Sequence, residues 1–252
     1  MPVVLVHDGV RLTRRSHDAR CDADLHVGRD GHVSCLEYAP LSVDTPRPGV
    51  VEQDADHLLC IGGRSLVGSA VVRALKNENC DILIVSRSNL DLTNQAAVGA
   101  WLNESSPDVV IVCAARVGGI HANSTYPSEF LFDNIMIASN LIKSSYETSV
   151  EKLLFLGSSC VYPKHADQPI SECALLTGPL EPTNEPYALA KIAGIKLCQA
   201  YREQYGCDFI SAMPSSLFGS GDNFDLSNSH VIPALIRKFH EAKLTNSASV
   251  AV

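Results

Sequence analysis

Residues 58–70 read Leu58-Leu-Cys-Ile-Gly62-Gly63-Arg64-Ser65-Leu-Val-Gly68-Ser-Ala70. A short apolar run ends in glycines, and an apolar helical pattern begins just after them. Such a join is what a buried strand turning directly into a helix requires. Gly62 suits the tight turn, and Gly68 suits close packing of helix on sheet. The backbone N–H groups at the start of that helix form a ready anion site, fitted to a pyrophosphate. Many strand-helix turns look similar, and Ser65 stands where a glycine is often found, so the turn needs support from the rest of the chain.

The residues downstream of the turn supply that support. Leu58–Ile61, Ile82–Val85, Val109–Cys113, Leu153–Leu156 and Phe209–Met213 are nearly continuous apolar runs, as expected of parallel strands covered on both faces. Helical patterns alternate with them over 66–76, 95–103, 128–148, 186–205 and 229–243. Pro186 suits a first helical turn and Gly206 a C-terminal stop. The predicted fold is α/β, a Rossmann-like doubly wound parallel sheet. Residues 1–57, with scattered charge and the Pro-rich stretch Pro40 to Pro48, read as a poorly specified N-terminal extension to a 58–252 nucleotide-binding domain.

Bulk properties narrow the function. The 252 residues are 46% hydrophobic, enough for a full core, and carry 20 basic against 28 acidic side chains, a net charge of −8. Nucleic acid and anionic membrane surfaces are therefore disfavoured as partners, since both need clustered positive charge. Nine cysteines without a Cys-x-x-Cys pair indicate neither a disulfide framework nor a zinc site, and most read as reduced core residues. The opening MPVVLVHDGVRLTRR has too short an apolar stretch, with its charge on the wrong side, for a signal peptide, and no run approaches a membrane span. A cytoplasmic location is the expectation.

The second strand bears on the cofactor. An NAD-binding fold usually ends this strand with Asp or Glu for the ribose 2′-hydroxyl, whereas here Ser86-Arg87 stands after it. Arg87, with Arg64, suits a 2′-phosphate, which favours NADP(H). Asp91-Leu92 stands where it could flank an adenine. Either arginine alone would read as a solvated loop residue; their joint placement carries the argument.

Two further patterns concern chemistry. Tyr187-Ala-Leu-Ala-Lys191 puts a phenol and an ammonium four apart on one helix face. The charge would be expected to lower the tyrosine pKa and make it a usable proton donor or acceptor. In GSSCVYP (157–163), Ser158 and Cys160 come directly after a buried strand, where unpaired polar atoms cost about 1–3 kcal/mol unless a ligand meets them. Alternation along the strand end would point both to one side. A Tyr-x-x-x-Lys pair is common by chance, and a free cysteine is usually inert packing; the nucleotide turn in the same chain lifts both.

Taken together, the Gly-rich turn, Ser158 and Tyr187-x-x-x-Lys191 resemble the extended short-chain dehydrogenase/reductase family. The strings VGGIHANSTYP (117–127), LLFLGSSCVYPK (153–164), LEPTNEPYALAKIAGIKLC (180–198), DNFDLSNSHVIPALI (222–236) and KFHEAK (238–243) resemble its branch of GDP-4-keto-6-deoxy-D-mannose epimerase/reductases. That resemblance implies epimerisation at carbons 3 and 5 of a GDP-sugar substrate, then reduction of the ketone by NADPH. Tyr187 would protonate the carbonyl oxygen, Lys191 would tune it and hold the nicotinamide ribose, and Ser158 would hydrogen-bond the carbonyl. Cys160 and His230 would be the acid/base pair of the epimerisations, and Lys238 would face the substrate diphosphate.

The cofactor would be held by Gly62, Gly63, Arg64, Ser65, Gly68, Arg87, Asp91, Leu92, Leu156, Gly157, Lys191, Pro214, Ser215, Ser216, Leu217 and His230. Pro214-Ser215-Ser216 departs from the family's Pro-Thr-Asn, and Arg116 stands where a lysine can occur. A homodimer through the helices near 128–148 and 186–205 is implied too, with Phe130, Phe132, Ile135 and Ile142 as apolar positions that a core-facing stripe would equally explain. Members of the family continue well beyond KFHEAK, so the smaller C-terminal substrate-binding part is expected to be largely missing, and residues 1–57 to have no counterpart.

Overall fold

The computed structural model describes residues 56–226 and 229–251. The N-terminal extension expected over 1–57 therefore lies outside the described residues, apart from Asp56 and His57, which open the first strand. Five strands, β1 (Asp56–Ile61), β2 (Cys80–Val85), β3 (Val109–Val112), β4 (Lys152–Leu156) and β5 (Asp208–Ala212), form one sheet in the order β2-β1-β3-β4-β5, every pairing parallel. Helices α1 (Leu66–Leu75), α2 (Gln95–Ser105), α3 (Ile120–Thr125), α4 (Pro127–Glu147), α5 (Glu185–Tyr205) and α6 (Val231–Leu244) connect and flank them.

Alternation along the strands divides the apolar residues between two layers. Leu59, Ile61, Val110, Val112, Leu153, Phe155 and Phe209 pack under α2, α4 and α5, against Val98, Leu102, Leu141, Ile142, Ile192, Ile195 and Cys198. Leu58, Cys60 and Ile111 face the other way, against Leu75, Val71 and Val72 of α1. The sheet is thus wound on both faces, as the apolar runs predict. Strand order reverses between β1 and β3, so the crevice at their carboxyl ends is the topological switch point where such folds bind ligands.

Local chemistry sets the boundaries. Ser65 caps α1, its Oγ accepting from the Gly68 N–H at 3.2 Å, and Asn94 caps α2 in the same manner at 3.1 Å from Ala97 N. Pro186 sits in the first turn of α5, and Gly206 ends it at φ +71°, a left-handed conformation that favours glycine. The short α3 is not foreseen from the sequence: GGIHANST is too brief for a periodic signal. It is held by Asn123, whose amide nitrogen donates to the carbonyls of Gly118 and Gly119.

Of the apolar positions expected to serve a helical interface, Phe130 and Ile142 are in the core. Phe132 faces out, as do Tyr146 and Tyr205, whose rings stack at 4.5 Å. Six of the described cysteines are free thiols, in line with the expectation that most are reduced, and Cys173 is disulfide-bonded.

Candidate active site

The Gly-rich turn leaves no room for side chains. Gly62 has φ +83°, and a Cβ there would lie 2.8 Å from Ala114 N; one on Gly68 would lie 2.2 Å from the Gly62 carbonyl oxygen. Backbone atoms cannot yield as a flexible side chain can, so glycine is required at both positions. This packing brings the amino end of α1 directly onto the carboxyl end of β1, which fits a dinucleotide pyrophosphate. Arg64 and Arg87 are both exposed at that end. Asp91 accepts from the N–H and hydroxyl of Thr93, which hold its carboxyl below the usual range, with Arg87 a smaller contributor. The Leu92 carbonyl takes a hydrogen bond from the buried Asn140 at 2.9 Å, which ties this loop to α4.

On the other side of the switch point, the segments after β4 and β5 stay paired beyond their strands. Gly157 N donates to the Ala212 carbonyl at 2.7 Å and Ser159 N to the Pro214 carbonyl at 3.2 Å. Pro214 to Leu217 thereby lies alongside Gly157 and Ser158. The Ser215 hydroxyl is buried without a hydrogen-bond partner. The sequence marks this segment both as a cofactor contact by resemblance and for its departure from Pro-Thr-Asn.

Ser158 and Cys160 do meet, but not by strand alternation. β4 ends at Leu156, and Ser158 caps a single 3₁₀ turn, Ser159–Val161, that brings Cys160 back over it. The Cys160 Sγ lies 3.2 Å from Ser158 Oγ. Burial holds the Cys160 thiol above its ordinary pKa, against the opposing pull of Ser158 and Lys191.

Tyr187 and Lys191 lie on the first turns of α5, as the spacing predicts. Their electrostatics differ from expectation. Burial pushes the Tyr187 phenol up, with nearby Cys160 adding to the effect. Lys191 does not reverse this, because its Nζ donates to the Leu156 carbonyl at 2.7 Å and sits over the Phe155 ring, 4.8 Å from its centroid, with the Tyr187 ring at 5.8 Å. Desolvation in turn pushes Lys191 down to about 8, although Cys160 and Cys113 oppose it. Tyr187 is braced by an edge-on contact with Phe130, and Phe130 in turn lies under the Arg116 guanidinium.

His230 is exposed at the amino end of α6, and it is not among the groups that act on Cys160, Tyr187 or Lys191. Lys238 bonds the Ala251 carbonyl at 3.0 Å instead of facing an open site. Two residues of the site escape sequence reading. Phe155 reads only as core, yet its ring carries the lysine. Cys113 reads as the last apolar residue of a strand, yet it reaches Lys191 from the switch-point side; its place at a strand's carboxyl end is the one available signal.

A glycine turn at a switch point, in a chain that also carries Ser158, Tyr187 and Lys191, fits the class of nucleotide-binding oxidoreductases and epimerases. Residues 58–251 match the NAD dependent epimerase/dehydratase family, and the chain belongs to it. Among relatives, it is 55% identical to GDP-L-fucose synthase of Sinorhizobium fredii (strain NBRC 101917 / NGR234) over 199 residues, which cover 79% of this chain and 63% of the relative. It is 57% identical to GDP-L-fucose synthase 1 of Arabidopsis thaliana over 192 residues, 76% of this chain and 59% of the relative. A crystal structure of a GDP-L-fucose synthetase from Naegleria fowleri bound to NADP superposes with a TM-score of 0.71 at 31% identity, covering 81% of this chain and 67% of that one. The chain thus spans about six-tenths of the length of the curated relatives it matches.

Proposed function

We propose that the chain carries the cofactor-binding and catalytic half of a GDP-L-fucose synthase-type enzyme, converting GDP-4-keto-6-deoxy-D-mannose to GDP-L-fucose with NADPH. The observation that carries this reading is Cys160 held 3.2 Å from Ser158 beside Tyr187 and Lys191. A simple ketone reductase of this type needs only serine, tyrosine and lysine. A thiol in the same place supplies the extra acid/base group that epimerisation next to a ketone demands.

Within this reading each residue has a task. NADPH, when bound, supplies the hydride for the ketone carbon. Gly62, Gly63 and Gly68 with the start of α1 would hold its diphosphate, and Arg64 and Arg87 its 2′-phosphate. Ser158 donates a hydrogen bond to the sugar carbonyl. Tyr187, kept a phenol by its burial, gives its proton to the carbonyl oxygen as the alcohol forms. Cys160, kept a thiol, is suited to return a proton to an enolate carbon, and His230 would have to turn in from the start of α6 to complete the pair. Lys191, anchored on the Leu156 carbonyl, would hold the nicotinamide ribose, and Lys238 would turn from the Ala251 carbonyl to the substrate diphosphate. The outward rings of Phe132, Tyr146 and Tyr205 on α4 and α5 support a homodimer through those helices.

A second reading is a cofactor-binding protein without turnover. It is favoured by α6, of which only Pro233 is buried while Val231, Ile236, Phe239 and Leu244 are exposed, so that the sugar-facing wall is thin among the described residues. Purified protein incubated with GDP-4-keto-6-deoxymannose and NADPH in deuterated water separates the two. Cofactor oxidation with deuterium at carbons 3 and 5 supports the enzyme. NADPH binding with neither oxidation nor exchange leaves the second reading.

A further inference from the structure

Beneath the Gly-rich turn, two cysteines stand side by side on neighbouring strands. The β1/β3 register pairs Cys60 with Ile111, which puts Cys113, two residues on, over the same sheet face. Cys60 is fully buried, and its thiol donates to the Gly68 carbonyl, Sγ to oxygen 3.8 Å. Cys113 packs into the same apolar cluster as Cys60 and is partly exposed at the crevice. Both are free. Neither has a task in the reaction described above.

We infer that Cys60 and Cys113 form an oxidisable thiol pair whose closure to a disulfide displaces the phosphate-binding turn and so weakens dinucleotide binding. The oxidant is a small peroxide. The Cys113 sulfur, the one reachable from the crevice, attacks one peroxide oxygen, forming an S–O bond as the O–O bond breaks and hydroxide leaves with the thiol proton as water. The Cys60 sulfur then attacks that sulfenic sulfur, an S–S bond forms, and the hydroxyl departs with the Cys60 proton as water. Two thiols and one hydrogen peroxide become a disulfide and two waters. Exposure sets the order of attack, since Cys113 opens on the crevice and Cys60 lies beneath it, fully buried.

The coupling to the turn is steric. On parallel strands about 4.8 Å apart, a position two residues further along stands about 8 Å away, beyond the roughly 4.4–6.8 Å between Cα atoms that a disulfide spans. Closing the bond therefore draws the carboxyl end of β3 toward β1. That end has no clearance: the site of a Cβ on Gly62 is 3.0 Å from the Cys113 carbonyl carbon and 2.8 Å from Ala114 N. The Gly68 carbonyl, which now accepts from Cys60, loses that proton as well. Gly62 and Gly68, the two ends of the turn, move together.

The disulfide stands apart from the proposed function, whereas its effect on affinity rests on that reading, and the experiment separates them. The protein is treated with hydrogen peroxide, digested without reduction and mapped by mass spectrometry. A Cys60 peptide joined to a Cys113 peptide, two hydrogens lighter than their sum, is expected; the two found only as separate peptides overturns the inference. NADPH affinity is titrated by fluorescence before and after peroxide. Wild type should weaken by about ten-fold or more and recover with dithiothreitol, while Cys113→Ala should stay within about two-fold of its own untreated value. Cross-linking without loss of affinity, or an equal loss in Cys113→Ala, overturns the switch. Untreated protein that binds no NADPH instead sinks the proposed function, and the peptide map still decides the cross-link.

Discussion

Lys191 Nζ stands 2.7 Å from the Leu156 carbonyl oxygen, which joins α5 to the end of β4 at the point where the site opens. The lysine is 4% exposed, with an aromatic ring beneath its ammonium and no carboxylate paired to it among the described residues. One backbone carbonyl and two ring faces hold the charge in place and only partly replace its lost hydration.

Lys191→Met should therefore stabilise the ligand-free protein while abolishing turnover. With the folded pKa near 8 and an unfolded value near 10.4, the charged lysine costs on the order of 3 kcal/mol at neutral pH. The sign is fixed by proton count. Below pH 8 the lysine is charged in both states and the folded state carries the whole cost. Between about 8 and 10.4 the folded lysine loses its proton first, and the cost is relieved. Urea unfolding should show the variant more stable than wild type by about 1–3 kcal/mol at pH 7, with the gap closing toward pH 10. A gap of constant size would contradict the assignment.

Cys160→Ser separates the two halves of the proposed reaction. The hydroxyl fits beside Ser158 but is a far weaker acid than a thiol. Deuterium exchange at the sugar carbons should fall about 10²–10³-fold, whereas reduction of an already epimerised ketone should fall less than about ten-fold. Equal losses in the two assays would remove the acid/base role.

Gly194 lies where α5 crosses α4 and β4. A Cβ there would come 2.5 Å from Phe155 Cζ and 3.2 Å from Ala138 Cβ, and the Phe155 ring also supports Lys191. Gly194→Ala should cost about 1–3 kcal/mol despite the better helix propensity of alanine. In α2 the nearest atom to a Cβ on Gly99 is Ser144 Oγ at 3.7 Å, so Gly99→Ala should be neutral or stabilising by up to about 1 kcal/mol. Denaturant midpoints of the two variants compare crowding against propensity directly.

Asn134 brackets the loop after β3. Its Oδ1 accepts from Arg116 N at 2.8 Å and its Nδ2 donates to the Arg116 carbonyl at 3.0 Å, while the Arg116 side chain pairs with Asp133. Asn134→Ala leaves both backbone groups without this partner and should cost about 1–3 kcal/mol. Amide hydrogen exchange at Arg116 should accelerate more than exchange in β4, a difference that general destabilisation would not produce.

The strands and long helices were legible in the residues because covered parallel strands need unbroken apolar runs and helices repeat their apolar face. Ser158, Tyr187 and Lys191 were legible for a related reason: they lie close in sequence to elements whose ends are marked by Gly157 and Pro186. The short α3, the 3₁₀ turn that returns Cys160 to Ser158, and the covered positions of Phe130 and Ile142 were not. Each depends on which neighbour occupies the adjacent space, and local sequence does not record that.

What the sequence by itself determined is the succession of strands and helices along the chain, the glycines of the turn and which side chains are candidates for chemistry, since these derive from chain stiffness, periodicity and side-chain chemistry. Only the tertiary structure decided how those groups behave. Burial raises Tyr187 where the lysine spacing alone would lower it, the Leu156 carbonyl claims the Lys191 charge, and β1 and β3, distant in sequence, set Cys60 against Cys113. Desolvation and proximity are properties of packed surroundings, so they exist only once the sheet has closed.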